Sequence, residues 1–387
     1  MSTSFEPSPT ESALAPLPTP GLLLDQQRMD RNIARLKQHL RPLGVGLRPH
    51  LKTSKSIDIA QRLMATPTGP ATVSTLKEAE EFAAAGVKDI LYAVGIAPAK
   101  LNRAVALRNR GVDLSIVVDN LDQAKAVAAK CRELGVKLPT LIEIDSDGHR
   151  AGIQPGDPLL VEIARTLQEG GADPRGIMTH AGGSYDARSE AQLVAAAEQE
   201  RAAAVQCAEQ LRAAGFASPV VSVGSTPTAH FARDLTGVTE VRAGVFVFFD
   251  LVMAGIGVCS IDDIAISVLA SVIGHQPSKH QILVDAGWMA MSRDRGTANQ
   301  PVDQYYGLVC DPSGRPYPDL IMRQANQEHG VLEIRPGSSA PLPDLPVGSL
   351  VRILPNHACA TAAQHTYYNV LSEGRVVAKW PRIASGW

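Results

Sequence analysis

No stretch of this sequence approaches the ~18 consecutive apolar residues that a membrane-spanning helix needs, so no span is expected. The first 18 residues are rich in Ser, Pro, Thr and Glu and lack the charged-then-apolar pattern of a secretion signal; they read as a mobile arm. Cysteine is scarce: Cys131, Cys207, Cys259, Cys310 and Cys359 are odd in number and widely spaced, which excludes a disulfide framework and fits a reducing cytoplasm. Charge of one sign is lacking too. The formal net charge of −2 gives no electrostatic case for nucleic acid or an acidic membrane as partner. No G-x-G-x-x-G follows the first apolar run, which counts against a dinucleotide site.

What is present is a rhythm. A chain of 387 residues exceeds one compact core, so two domains or a barrel with an appendage is expected. Short apolar runs recur at 46–52, 71–75, 89–94, 114–118, 141–145, 176–180, 219–224 and 240–244, with helical stretches between them. Strands alternating with helices predict a parallel (β/α)8 TIM-type barrel over residues 19–257, with a doubly wound open sheet as the alternative. After Gly257 the texture changes. Runs at 264–273, 281–284, 350–354 and 367–370 are separated by Gly- and Pro-rich turns, which predicts an antiparallel β domain over 258–387.

Catalytic groups of such barrels gather at the C-terminal ends of strands. Lys52 closes the first run, Asp145 the fifth and His180 the sixth. The seventh ends in Gly224-Ser225-Thr226-Pro227-Thr228 and the eighth in Arg242-Ala243-Gly244-Val245. Small residues after strands seven and eight let backbone amides approach a phosphate. A lysine on the opposite wall suggests pyridoxal 5′-phosphate held as a Schiff base. In the tail, His357 and Cys359 stand one residue apart at the end of the apolar run 350–354. On a strand, such a pair shares a face and grips a metal, although a lone H-x-C is more often an accident.

Five separated segments then agree on a family. Pro49-His50-Leu51-Lys52-Thr53-Ser54-Lys55, Glu143-Ile144-Asp145 with His149-Arg150-Ala151-Gly152, Gly224-Ser225-Thr226-Pro227-Thr228, Glu328-His329-Gly330 and Pro355-Asn356-His357-Ala358-Cys359 occur in order. From Thr19 to Trp387 the chain resembles the fold-type III pyridoxal phosphate enzymes acting on β-hydroxy D-amino acids: dehydratases of D-serine and D-threo-3-hydroxyaspartate, and D-threonine aldolase. The resemblance implies the alanine racemase fold, with strand 21–25 joining the β domain. It implies Lys52 as the Schiff-base lysine, and His357 and Cys359 as ligands of zinc, or of manganese or magnesium. His50, Arg150, His180, Tyr185, Ser225, Thr226, Gly244 and Val245 are expected around the cofactor. The bland readings are a surface lysine, a buried histidine, an Arg150 paired with Asp145 or Asp147, and an Arg242 held in a structural ion pair.

The expected reaction is β-elimination from a small D-amino acid to an oxo acid and ammonia. The alternative is aldolase-type cleavage to glycine and an aldehyde. The aldolases usually carry aspartate where Cys359 stands, and the His180-to-Tyr185 segment looks most like the dehydratases. A racemase has no evident use for the metal pair, and the single-barrel cofactor carriers lack the C-terminal β domain. Family members are dimers, so a homodimer is expected.

Overall fold

In a computed structural model of the chain, residues 9–387 are described, and they divide into two compact units. One holds residues 34–246 with 385–387; the other holds the chain up to Ile33 together with 247–384. Strand β1 (Gly21–Asp25) belongs to the second unit.

The first unit is the parallel barrel. Its strands are β2 (Gly46–Pro49), β3 (Ala71–Val73), β4 (Asp89–Gly95), β5 (Asp113–Val118), β6 (Pro139–Ile144), β7 (Asp173–Thr179), β8 (Val220–Val223) and β9 (Glu240–Ala243). They run in the order β2-β9-β8-β7-β6-β5-β4-β3. A parallel bridge between His50 and Thr72, with Leu51 N–H donating to Thr72 O at 2.8 Å, links the two ends. All residues of β3 and β6 are buried, including the polar Thr72, Thr140 and Glu143, so neither strand shows a polar face. Leu91, Val117, Leu141 and Met178, from four adjacent strands, form one buried cluster. The helices start where short polar side chains cap them: Thr75, Asn120 and Ser189 accept from the amides of Glu78, Gln123 and Gln192.

The second unit is antiparallel apart from one pairing. It contains β10 (Ile266–Gln276), β11 (Gln281–Val284), β12 (Leu308–Cys310), β13 (Pro316–Ala325), β14 (Gly330–Ile334), β15 (Leu350–Leu354), β16 (Tyr367–Ser372) and β17 (Arg375–Pro381). The long β10 pairs with β15 and also with β11, so β10, β11, β14, β13, β12 and β15 close a ring. β1 lies antiparallel to β10 and parallel to β16.

Two expectations are corrected. The arm read as mobile over 1–18 contains a helix at Pro9–Leu14, whose Leu14 is fully buried with Leu23, Leu269 and Leu371; residues 1–8 lie outside the described residues. The barrel also ends earlier than Gly257. From Val247 the chain belongs to the β unit, where Ala265 N–H donates to Phe248 O at 2.7 Å, Leu251 N–H donates to Pro355 O at 3.1 Å, and the Phe248 and Tyr368 rings meet at a tilt with centroids 5.5 Å apart. Among the described residues no helix is long and apolar enough to cross a membrane.

Candidate functional site

β2 ends at Pro49, so Lys52 stands in the turn that follows rather than on the strand, with an exposed side chain. The neighbouring Lys55 has a different fate. It turns into the protein at φ 44°, and its Nζ meets Glu78 Oε1 at 3.0 Å, with the Glu78 side chain only 1 % exposed. Lys55 is therefore engaged in a largely buried ion pair. Removing one partner of a buried pair strands the other charge. Lys55→Ala is therefore expected to cost about 3–5 kcal/mol, read as a lowered denaturation midpoint.

Around Lys52 the rim is rich in imidazole. Burial, then the charges of Lys52, Arg242 and His180, hold His50 well below the usual histidine range. His180 is held down to about 3, by burial first and then by Lys52 and Arg242 against a bond to Gly224. Its Nδ1 lies 3.1 Å from Gly224 O. A carbonyl only accepts, so Nδ1 carries the proton and Nε2 keeps its lone pair. The Tyr185 ring lies 6.3 Å from that of His180. Arg150 is exposed and pairs with Glu143 at 3.3 Å, not with Asp145 or Asp147, because Asp145 Oδ1 is occupied by the Gly148 amide at 2.7 Å. Arg242 is buried and donates to Ser222 Oγ at 2.7 Å and to Thr179 O, and Ser222 Oγ in turn donates to Glu240 Oε1 at 2.6 Å.

The two small-residue loops are shaped by backbone demands. Gly224 has φ +136°, and a Cβ there would meet Arg242 O at 2.0 Å. Beside Gly244 a Cβ would meet Thr53 Oγ1 at 3.1 Å and His50 Cβ at 3.2 Å, close to the Lys52 turn. Ser225 and Thr226 are buried; Ser225 Oγ lies 2.9 Å from Ser184 Oγ, and Thr226 Oγ1 accepts from Phe246 N–H at 3.3 Å. Loops without side-chain bulk, a reachable lysine and neutral imidazoles fit a phosphorylated aldehyde cofactor.

The second unit brings His357 and Cys359 together, but not on a strand. β15 ends at Leu354; His357 caps the short helix Ala358–Ala362, and Cys359 lies in its first turn. The strand shared-face geometry therefore does not apply: the two residues meet at the start of a helix. The Cys359 thiol hydrogen-bonds the His357 imidazole, whose Nδ1 lies 2.7 Å from Asp294 Oδ2. Burial works against the imidazolium, yet Asp294, Cys359 and Asp250 outweigh it and raise His357 to about 11. A carboxylate on Nδ1 fixes the ring and raises its basicity as a ligand through Nε2. A basic imidazole beside a thiol fits a divalent metal. Asp250, itself 2 % exposed, accepts from Ala358 N–H at 2.9 Å and anchors the helix start. Among the described residues no group of three or more His, Cys, Asp or Glu is arranged to hold a metal ion. Glu328-His329-Gly330 lies in the turn between β13 and β14, where Asn326 N–H donates to His329 O at 2.8 Å. Of the remaining cysteines, Cys131, Cys207 and Cys310 are buried and Cys259 is half-buried; none of the four is in a disulfide.

Sequence reasoning missed Asp294 and Asp250, which carry no local motif. It also missed Glu200, which did carry a signal: it shares the apolar stripe Leu193, Ala197, Ala204, Cys207, Ala208 and Leu211 on its helix.

Comparison with known proteins agrees along the whole chain. D-threo-3-hydroxyaspartate dehydratase of Delftia sp. (strain HT23) is 54% identical over 380 residues, covering 97% of this chain and 100% of that protein. Its solved structure superposes with a TM-score of 0.93 over 97% of this chain and 100% of that one. D-serine dehydratase of Dictyostelium discoideum is 29% identical over 92% of this chain and 94% of that protein. D-threonine aldolase of an Arthrobacter species is 27% identical over 98% and 96%. The family described as "Alanine racemase, N-terminal domain" matches residues 24–252, and the "Putative serine dehydratase domain" matches 265–371. The chain belongs to the fold-type III pyridoxal phosphate family, as an alanine racemase N-terminal domain followed by a serine dehydratase domain.

Proposed function

We propose that this protein is a carbon–nitrogen lyase that eliminates the β-hydroxyl of a D-amino acid, D-threo-3-hydroxyaspartate or D-serine, to give an oxo acid and ammonia. The observation that carries the reading is the carboxylate-oriented His357 beside Cys359, in a chain whose barrel also offers an exposed Lys52 after its first strand. The 54% identity to a dehydratase over nearly the full length supports it, against 27% to an aldolase. Two solved forms of D-threo-3-hydroxyaspartate dehydratase are a histidine-to-alanine variant and a metal-free cysteine-to-alanine variant; their altered positions lie two residues apart, as His357 and Cys359 do.

Pyridoxal 5′-phosphate, when bound, supplies an electron sink for the pair left at the α-carbon. Lys52 would hold the cofactor through its amine, and its Nζ would serve as the base for the α-proton. A lysine on one face reaches the proton of one enantiomer only, which gives D-specificity. Ser225, Thr226 and the amides of Gly244 and Val245 would hold the phosphate, with His50, Arg150, His180 and Tyr185 around the ring. His180 presents the lone pair of Nε2 as an acceptor there. His357 and Cys359 would hold one divalent ion, zinc by preference for a thiolate, with open positions for water and substrate oxygen. That ion would supply Lewis acidity to the departing hydroxyl. One water leaves and one enters as the enamine product hydrolyses, so the net products are oxo acid and ammonia. We infer a cytoplasmic homodimer, the commonest closed assembly.

A substrate panel tests the reading. D-threo-3-hydroxyaspartate and D-serine are expected to turn over with ammonia release, and L-serine at least about 10²-fold more slowly, since orientation of the reacting proton sets the rate. Equal rates for both enantiomers of serine would contradict it.

A further inference from the structure

Glu200 lies midway along the helix Glu190–Ala213 and is 2 % exposed. A carboxylate on an apolar stripe costs several kcal/mol unless its oxygens are bonded. Here both are. Oε1 accepts from Ala181 N–H at 3.0 Å and from Gly224 N–H at 2.9 Å. Oε2 accepts from Thr228 Oγ1 at 2.7 Å. One side chain thus joins the end of β7, next to His180, to the loop after β8. The neighbouring Gln199 donates to Ser146 O at 2.8 Å and grips the loop after β6 in the same way.

The bonds continue outward. Thr228 Oγ1 accepts from Ser225 N–H at 3.0 Å, and Ser225 Oγ lies 2.9 Å from Ser184 Oγ. The carbonyl of Gly224, whose amide Glu200 holds, takes His180 Nδ1. Gly224 itself has no room for a side chain that would stiffen the turn from within. The rigidity of the loop therefore comes from behind it.

We propose that Glu200 is the positioning residue of the phosphate-binding loop: it fixes Gly224–Thr228 and Ala181 before the cofactor arrives, so that Ser225 and Thr226 meet the phosphate without reordering. The inference rests on the pyridoxal phosphate reading above. It does not make Glu200 a cofactor contact. Preorganised donors bind an anion more tightly because less ordering accompanies binding.

The test is cofactor affinity of the full-length apoprotein, titrated with pyridoxal 5′-phosphate and, in parallel, with pyridoxal, which has the same ring and aldehyde but no phosphate. Glu200→Ala leaves two amides and a hydroxyl without their acceptor. It is expected to weaken pyridoxal 5′-phosphate by about 10–100-fold, the range for loss of charge-assisted hydrogen bonds, and to leave pyridoxal within about threefold. Glu200→Gln keeps Oε1 for the two amides, and its Nε2 can donate to Thr228 Oγ1, whose proton then turns to Ser225 O, 3.4 Å away. This variant is expected within about threefold of the unsubstituted protein for both ligands. Thr228→Val removes only the hydroxyl arm and should give a smaller loss confined to the phosphorylated ligand, which keeps the test open if Glu200→Ala does not fold. Equal weakening of both ligands, or unchanged pyridoxal 5′-phosphate affinity in Glu200→Ala or Thr228→Val, would overturn the inference. If the unsubstituted apoprotein binds neither ligand, the cofactor reading itself fails and takes this inference with it.

Discussion

Lys52→Ala is expected to lower turnover by at least about 10³-fold, within the range contributed by a positioned general base, and to abolish the absorbance of lysine-held cofactor at the same time. Both losses follow from one amine doing two tasks. The geometry makes the claim specific to Lys52. Lys55 lies three positions on, in the same turn, but is locked to the buried Glu78 at 3.0 Å and is not available to an aldehyde. Lys55→Ala should therefore lose stability yet keep the absorbance in whatever fraction remains folded. Absorption spectra and initial rates of the two variants, recorded side by side, separate the roles. Retained absorbance in Lys52→Ala and lost absorbance in folded Lys55→Ala would reverse the assignment.

Removal of the metal is expected to lower β-elimination on the order of 10³-fold, the several kcal/mol that Lewis-acid assistance supplies, while pyridoxal phosphate stays bound. The expectation rests on two separate residue sets: the proposed cofactor residues belong to the barrel unit, whereas His357, Cys359 and Asp294 belong to the β unit. Cys359→Ala should behave as chelation does. Asp294→Asn keeps both ligands but takes the carboxylate charge from His357 Nδ1. Loss of such an orienting partner typically weakens metal affinity about 10–100-fold, so activity should return at raised metal concentration. Cys359→Asp exchanges a soft donor for a hard one, so manganese should gain on zinc. Metal content and rates measured together check the series. Full activity in the chelated protein would make the pair structural.

How far the sequence announced these features depends on what each residue is surrounded by. All eight barrel strands, set between helical stretches, were legible as short, mainly apolar runs, even where a run holds a buried polar residue, as Glu143 does in β6. In the β unit, β10, β11, β15 and β16 were legible on the same ground. β12, β13, β14 and β17 were not: β12 has three residues, β13 starts at a proline and is buried only over Leu320–Met322, and β17 has no buried position. Lys52 and the His357–Cys359 pair were singled out from motif and spacing. Their local geometry was not, since Lys52 leaves the strand and His357 caps a helix. Asp294 acts across 63 positions in sequence, a distance no local pattern spans. Glu200 was hidden in a stretch rich in Ala, Glu and Gln that reads as a solvated helix face; only its phase against Leu193, Ala197, Ala204 and Cys207 marks it as buried.

The central claim is that the bond broken is the one to the β-oxygen and not the one between the α- and β-carbons. The most direct measurement is a product balance on the metal-replete holoenzyme with D-threo-3-hydroxyaspartate as sole substrate, quantifying ammonia, oxo acid and glycine in the same sample. Elimination predicts ammonia and oxo acid in equal amounts, each matching the substrate consumed, and no glycine. Glycine and an aldehyde in equal amounts without ammonia would contradict it and assign the chain to aldol cleavage.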